Sequence, residues 1–405
     1  MLSISNITAK MATNYYTKDG YYTRDIDQQD HWQGKLCKQL ALDEIYIDAV
    51  QFDNLICENP KRAGYDLCFS APKSVSVAMM LDDNVRKDML TAHNAAVEKV
   101  LHQIEEHETI ARVTRNGVTK PLLTGNMACA RFQHYVSRNS DPQLHDHCVI
   151  LNKTKYNGRM YALSNEQLYQ NKILYGQLYR NELARNVQEK GYAVEMTDPE
   201  KGFWELRRME KDILEHFSTR RQEIIEKLKS WQVADAESAS RATLLTRSAK
   251  EHRDLAQLTQ AWSETIREVG GAQCEKLSEP IRPDTQAKIA AFDLAVERLA
   301  AKQFAFTGKE LERAVLAEGC TAGMDREDFR QAFVKSCIVR LGVAKNTNDI
   351  VYYTTTQNLA IEHQIESLLH KTKDKMTAIS SLQTKTGLQS ISKDFNLKLS
   401  KEQTE

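Results

Sequence analysis

The chain has 405 residues, 41% hydrophobic and 27% charged, an ordinary globular composition that is too long for one core and suggests two or three domains. Its 55 Lys and Arg balance 55 Asp and Glu, which argues against a general polyanion binder and leaves room for a local basic face. No apolar run approaches the roughly 20 residues that span a bilayer, and the N-terminus lacks the pattern of a secretion signal, so the expectation is a cytoplasmic protein without membrane insertion.

The eight cysteines fall singly, with no CxxC pair, which fits reduced thiols. No G-x-x-x-x-G-K-[ST] motif occurs, so no nucleotide cofactor is expected.

In chain order, the first conspicuous stretch is "NYYTKDGYY", residues 14–22, which crowds Tyr15, Tyr16, Tyr21 and Tyr22 together. By spacing alone, such tyrosines line the edge of a core, burying a ring and wetting a hydroxyl. The sharper reading is nucleophilic, because a tyrosine hydroxyl can attack phosphorus and form a covalent ester. "YDLCFS", 65–70, reads as a short strand. Within it, Asp66 is either an ordinary strand aspartate or an acid that takes a tyrosine proton or orients a histidine. A short helix is placed at 73–81, and "VRKDMLTAHNAAVEKVLHQIEEH" has the period of a long amphipathic helix. Asn116-Gly117 marks a hairpin turn, and Asn157-Gly158 another. Residues 127–136 and 145–152 read as strands around a polar loop holding Pro142, and 165–190 as one long helix ending at Gly191. The result is an α+β fold, an antiparallel sheet flanked by helices, followed by a mainly helical C-terminal module.

The stretch from 206 to 270 is helical and charged, and "SEPIRPDT", 278–285, is a boundary. The expected domains are 1–280, a small helical or winged-helix-like module at 286–358 (three helices and then "DIVYYTT"), and a polar helix with a disordered tail at 359–405.

Three of the 11 histidines lie in "RFQHYVSRNSDPQLHDHCVILN", residues 131–152. Alternation along a strand sends His145 and His147 to one face and Asp146 to the other. His134, on the neighbouring strand, returns beside them. Three neutral imidazoles converging on one point form a divalent metal site with an open position for substrate. An H-x-H pair by itself is more often two half-exposed polar residues, and a structural zinc is a further alternative. It would need a fourth ligand, for which only Cys148 is near in sequence, and alternation turns Cys148 away from the histidines.

Taken together, "NYYTKDGYY", "WQGK" (32–35), "RAGYDLCFSAPKSVSV" (62–77), "LTGN" (123–126), "FQHYVSRNSDPQLHDHCVILN" (132–152), "LYGQLYRNELARNVQEKGY" (174–192), "HFSTRRQEI" (216–224) and "AWSETIREVG" (261–270) resemble, in order, the conjugative relaxases of the TrwC/TraI type, the MobF class of the HUH endonuclease superfamily. The resemblance covers roughly residues 1–275. It implies a relaxase-like sheet and site- and strand-specific nicking and rejoining of DNA at a transfer origin through a tyrosine–5′-phosphate intermediate. It makes Tyr15 the first nucleophile and Tyr21 and Tyr22 the source of a second. It gives His134, His145 and His147 one divalent ion (Mg²⁺ or Mn²⁺, with Zn²⁺ or another as alternatives) and makes Asp66 the accessory acid.

Lys73 and Arg138 lie inside matched motifs as candidates for DNA phosphates, the plain alternative being solvated surface charge. The implied partners are single-stranded and hairpin DNA, an accessory DNA-binding protein, a coupling protein, type IV secretion machinery and a separate helicase, with travel of the protein into a recipient cell alongside DNA. The competing expectations are a non-catalytic origin-binding protein derived from a relaxase and a metal-stabilised domain with no DNA role.

Overall fold

The computed structural model describes the chain except residues 13–29, 43–45, 232–234, 236–237, 239–240, 243–254, 282, 344–349 and 373–405. The four tyrosines of "NYYTKDGYY" therefore lie outside the described residues. Two compact units are present, Met1–Lys302 with Thr307–Ser336, and Gln303–Phe306 with Cys337–Glu405.

The first unit begins with β1 (Leu2–Ile7), α1 (Ala9–Ala12), β2 (His31–Gln33), α2 (Lys35–Gln39), α3 (Ala49–Cys57), β3 (Gly64–Ser70), α4 (Lys73–Ala78) and α5 (Asp83–Glu108). Asp82 caps α5 by accepting from the backbone N–H groups of Asn84 and Val85 at 2.8 and 3.0 Å. The hairpin β4 (Ile110–Arg115) and β5 (Val118–Leu123) turns through Asn116 and Gly117, both at positive φ, as the Asn-Gly signal predicts. Next come β6 (Cys129–Val136), β7 (Pro142–Leu151), and a second Asn-Gly hairpin of β8 (Thr154–Tyr156) and β9 (Arg159–Tyr161).

The loop between β6 and β7 is shorter than expected, because Pro142 opens β7 opposite Val136 instead of ending the loop. A proline is tolerated there, since the first position of a strand requires no ladder donor. The helix expected over 165–190 is two helices, α6 (Glu166–Gln170) and α7 (Lys172–Glu189), which follow β10 (Leu163–Ser164). The break falls at Asn171, whose side chain donates to the buried Glu108 at 2.8 Å. A further hairpin, β11 (Val194–Asp198) and β12 (Phe203–Leu206), precedes α8 (Lys211–His216), α9 (Thr219–Trp231) and a helix at Leu255–Glu268.

The central sheet has the order β1-β3-β7-β6-β2 with every neighbouring pair antiparallel, so the expected flanked antiparallel sheet is what forms. Its two faces differ. Tyr65, Leu67 and Phe69 of β3 share one face with Leu144, Asp146 and Cys148 of β7, and α5 and α7 cover it, with Phe69 packing on Tyr179 at 5.3 Å. The other face is apolar at one end, where Val149 and Leu151 join Trp32, Phe52, Ile56 and Phe132 in a buried cluster with β2 and α3. Gly34, of the "WQGK" stretch, fixes the entry to that cluster. It has φ +116, and a Cβ on it would lie 2.3 Å from the Met127 carbonyl oxygen. The other end of this face carries the histidines.

Helices at Thr285–Lys302, Gly308–Glu318 and Arg326–Lys335 complete the first unit. The second unit contains an antiparallel pair, Ile338–Val343 with Val351–Thr355, and a helix at Thr356–Thr372. The order of three helices and then a strand, read over 286–355, is present. The compact units nevertheless part at Ser336, whereas the sequence reading draws its boundary at 280–286. Among the described residues, no helix is long and apolar enough to cross a membrane.

Candidate metal centre

The β6–β7 register places His134 directly opposite His145. Strand alternation adds His147 to the same face. The three ring centroids form a nearly equilateral triangle, 5.3 Å between His134 and His145, 5.4 Å between His134 and His147, and 5.3 Å between His145 and His147. The histidines expected to converge are thus brought together.

Hydrogen bonding sets how two of the rings face the centre. His145 Nδ1 lies 2.9 Å from the Gln143 carbonyl oxygen. A carbonyl only accepts, so Nδ1 carries the proton and Nε2 is left with its lone pair. His147 Nδ1 donates to both carboxylate oxygens of Asp66 at 2.9 Å, which again leaves Nε2 as the ligating atom. Burial, then the neighbouring His147, lowers His145 to about 4. Burial, then both partner rings, holds His134 well below the ordinary imidazole range. Neutral rings are what a metal requires of a histidine. The donor set therefore fits a divalent ion, with His134, His145 and His147 as the residues that would hold it.

Asp66 sits on β3, on the histidine face, and reaches His147 across the β3–β7 pairing. Of its two expected roles, the observed contact is the orientation of a histidine. The same register brings in a residue the sequence reading missed, Cys68. It lies opposite His147, and its Sγ and a ring nitrogen of each of His145 and His147 lie within 4.8 Å of one another. Burial pushes this thiol up to about 12. Cys148, the cysteine considered as a fourth ligand, is fully buried on the opposite face, as alternation requires. The alternation of "YDLCFS" puts Asp66 and Cys68 on one face, but only the register with β7 says which residues they meet.

Behind the triangle, on the α5–α7 face, Asp146 is fully buried. It accepts from Arg131, from His93 Nε2 at 2.8 Å and from Gln133 Nε2 at 3.1 Å. His93 Nδ1 in turn accepts from the Tyr179 hydroxyl at 2.7 Å. Burial alone would raise the Asp146 carboxyl, but Arg131 and His93 overcome it and hold the group far below the usual carboxylate range. This network escaped the sequence reading because its members come from four separate elements.

Lys73 opens α4 and donates from Nζ to the Pro142 carbonyl at 2.9 Å, tying α4 to the start of β7. Burial lowers its amine to about 8. Arg138 is half-buried in the β6–β7 turn, which is closed by Ser137 N–H donating to Asp141 O at 2.8 Å. Tyr15, Tyr16, Tyr21 and Tyr22 lie outside the described residues, so their relation to the triangle is not part of this geometry.

A family model described as the TrwC relaxase matches residues 9–269. Two relatives, the multifunctional conjugation protein TraI of Escherichia coli K12 and its counterpart from Escherichia coli, are each 36% identical over 296 residues. Those matches cover 67% of this chain and 16% of each relative, so the chain spans less than a fifth of the curated relatives' length. Among solved structures, the metal-bound complex of the conjugative relaxase TrwC with oriT DNA is similar at a TM-score of 0.61 and 31% identity, over 67% of this chain and 99% of that one. A copper-bound complex matches at 0.60 and 32%, and a complex with a 27-mer comprising the recognition hairpin and the cleavage site at 0.59 and 30%, with the same coverage.

Proposed function

The chain belongs to the TrwC relaxase family, and on that premise we propose that it nicks and rejoins one DNA strand at a transfer origin to begin conjugative transfer. The observation that carries this reading is the triangle of three imidazoles with Asp66 holding the Nδ1 proton of His147. The structural relatives are relaxases in complex with oriT DNA, one with the recognition hairpin and cleavage site, which supports hairpin and adjacent single-stranded DNA as the substrate.

The chemistry is a transesterification. Tyr15 gives up its hydroxyl proton, its oxygen attacks the scissile phosphorus, the bond to the 3′ oxygen breaks, and that oxygen takes up a proton in exchange as a free 3′ hydroxyl. The phosphodiester becomes a tyrosine–5′-phosphate ester, so rejoining needs no ATP. Tyr16, Tyr21 and Tyr22 are the alternative or second nucleophiles, with the second pair ending a transfer round. His134, His145 and His147 bind the ion, and Asp66 keeps His147 in its ligating tautomer. A divalent ion held there, Mg²⁺ or Mn²⁺ with Zn²⁺ or another as the alternative, would supply positive charge to the phosphate oxygens as negative charge builds on them. Lys73 and Arg138 contact DNA phosphates, Lys73 exchanging its Pro142 carbonyl for one.

An accessory DNA-binding protein, a coupling protein, secretion machinery and a helicase complete the proposed pathway, which starts in the bacterial cytoplasm and carries the protein to the recipient. The test is incubation with fluorescent single-stranded oligonucleotides covering candidate origins, with and without Mg²⁺ or Mn²⁺. A metal-dependent covalent protein–DNA band, lost in Tyr15→Phe, is the expected result. A band that survives moves the attack to another of the four tyrosines. No band on a substrate that demonstrably binds would leave a non-catalytic origin-binding protein.

A further inference from the structure

The histidine triangle is bordered by a sulfur. Cys68 stands on β3 directly across from His147, and Ser70, two residues on, stands across from His145. Both therefore project from the histidine face. The Cys68 sulfur and one ring nitrogen each of His145 and His147 fall within 4.8 Å of one another, a spacing at which they could share one metal ion. The sulfur also makes a weak contact with Ser70 Oγ at 3.7 Å.

Resting on the metal reading above, we propose that Cys68 is a fourth protein ligand of this centre, and that the site consequently prefers a borderline-soft divalent ion such as zinc over magnesium.

The argument is one of donor chemistry. Magnesium takes hard oxygen ligands in near-octahedral geometry and keeps several waters. Three imidazoles offer it little, and a thiolate still less. Zinc and cobalt accept imidazole and thiolate together, in tetrahedral or five-coordinate geometry. Cys68 with His145 and His147, joined by His134 from the neighbouring ring position, would make a three-nitrogen, one-sulfur set. Ligation exchanges the S–H proton for the metal, so one proton is released to solvent per ion bound. Cys68 is thus a selectivity residue of the centre, separate from the tyrosines that carry the covalent step. The plainer alternative is that the thiol only packs beside the rings.

Cobalt(II), added to the full metal-free chain, reports both the ion and its ligands by absorption. The expected result is a sulfur-to-cobalt charge-transfer band in the near ultraviolet, bound stoichiometrically and displaced by zinc. The band should vanish in Cys68→Ala and Cys68→Thr and persist in Cys57→Ser, which alters an exposed cysteine outside that group. Zinc affinity should fall at least about tenfold in both Cys68 variants while manganese affinity moves much less. Circular dichroism of each variant checks that the fold is kept. Cobalt binding in wild type without the sulfur band, and with unchanged zinc affinity in Cys68→Ala, would overturn the proposal and leave the three-histidine site standing. If wild type bound no cobalt, zinc or manganese at all, the metal reading would fall with it.

Discussion

Arg131 and Asp146 form an ion pair buried directly behind the histidine rings, with side chains 3% and 0% exposed. Asp146 lies between His145 and His147 in sequence, so whatever holds its carboxylate also holds the strand that presents the two rings. Removing the guanidinium leaves that carboxylate with only the His93 and Gln133 donors. Arg131→Met should therefore cost about 3–5 kcal/mol in urea denaturation, because a buried charge loses its partner. The double change Arg131→Met with Asp146→Leu should cost clearly less than the sum of the two single changes, since it removes both charges together. Additive losses would show that the pair contributes only packing.

Asp66→Ala separates the two roles open to that residue. Loss of the Nδ1 partner frees His147 to adopt the wrong tautomer, so manganese affinity read by calorimetry should drop about 10–100-fold. Asp66→Asn, whose amide oxygen still accepts from Nδ1, should recover much of it. If orientation is the whole role, saturating manganese restores covalent adduct formation in Asp66→Ala. If Asp66 also takes the tyrosine proton, the adduct stays slow at every metal concentration.

The parts of this site legible in the sequence are those set by local rules. Period-two alternation in "QLHDHCVILN" suffices to put His145 and His147 on one face and Asp146 and Cys148 on the other. Asn116-Gly117 and Asn157-Gly158 require positive φ, and the structure has it. What local rules could not supply is register between distant strands. Cys68 meets His147 because β3 pairs with β7 from Gly64↔Leu151 to Ser70↔His145, and no short-range signal encodes that alignment. The Asn171 break likewise depends on Glu108, 63 residues away, whose carboxylate takes the Asn171 amide and the Tyr175 hydroxyl.

Lys73 carries a pH signature. Its amine is lowered to about 8, mainly by burial, from an ordinary value of 10.5 in the unfolded chain. Below pH 8 both states are charged and the folded state bears the full desolvation cost. Between pH 8 and 10.5 the folded amine is neutral while the unfolded one still holds its proton, so stability rises with pH across that window. The gain is at most about 3 kcal/mol. Lys73→Met lacks this term, so the stability difference between wild type and Lys73→Met, followed from pH 7 to 10, should shift toward wild type. Background titration of thiols and tyrosines cancels in the difference. A flat difference would mean that the amine reaches water freely.

The helix Gly308–Glu318 and the turn after it are tied to α7 by buried polar bonds within the first unit, and this sets where the chain can be cut. Asn181 of α7 donates from Nδ2 to the carbonyls of Leu316 and Met324, both at 2.8 Å, and Gln188 Nε2 donates to the Thr321 carbonyl at 3.0 Å. Leu311, Val315 and Leu316 are fully buried in the same packing. A chain ending at 280 strips these partners away and bares the buried amide of Asn181, whereas one ending at 336 keeps them. The 1–280 form should therefore unfold at a clearly lower temperature than the 1–336 form. Asn181→Leu orphans two carbonyls and should cost about 2–3 kcal/mol in the longer form. In the 1–280 form the same substitution has no carbonyls to orphan, and its cost should largely disappear. An equal cost in both forms would place the effect within α7 itself and return the boundary to the proline-rich stretch at 278–285.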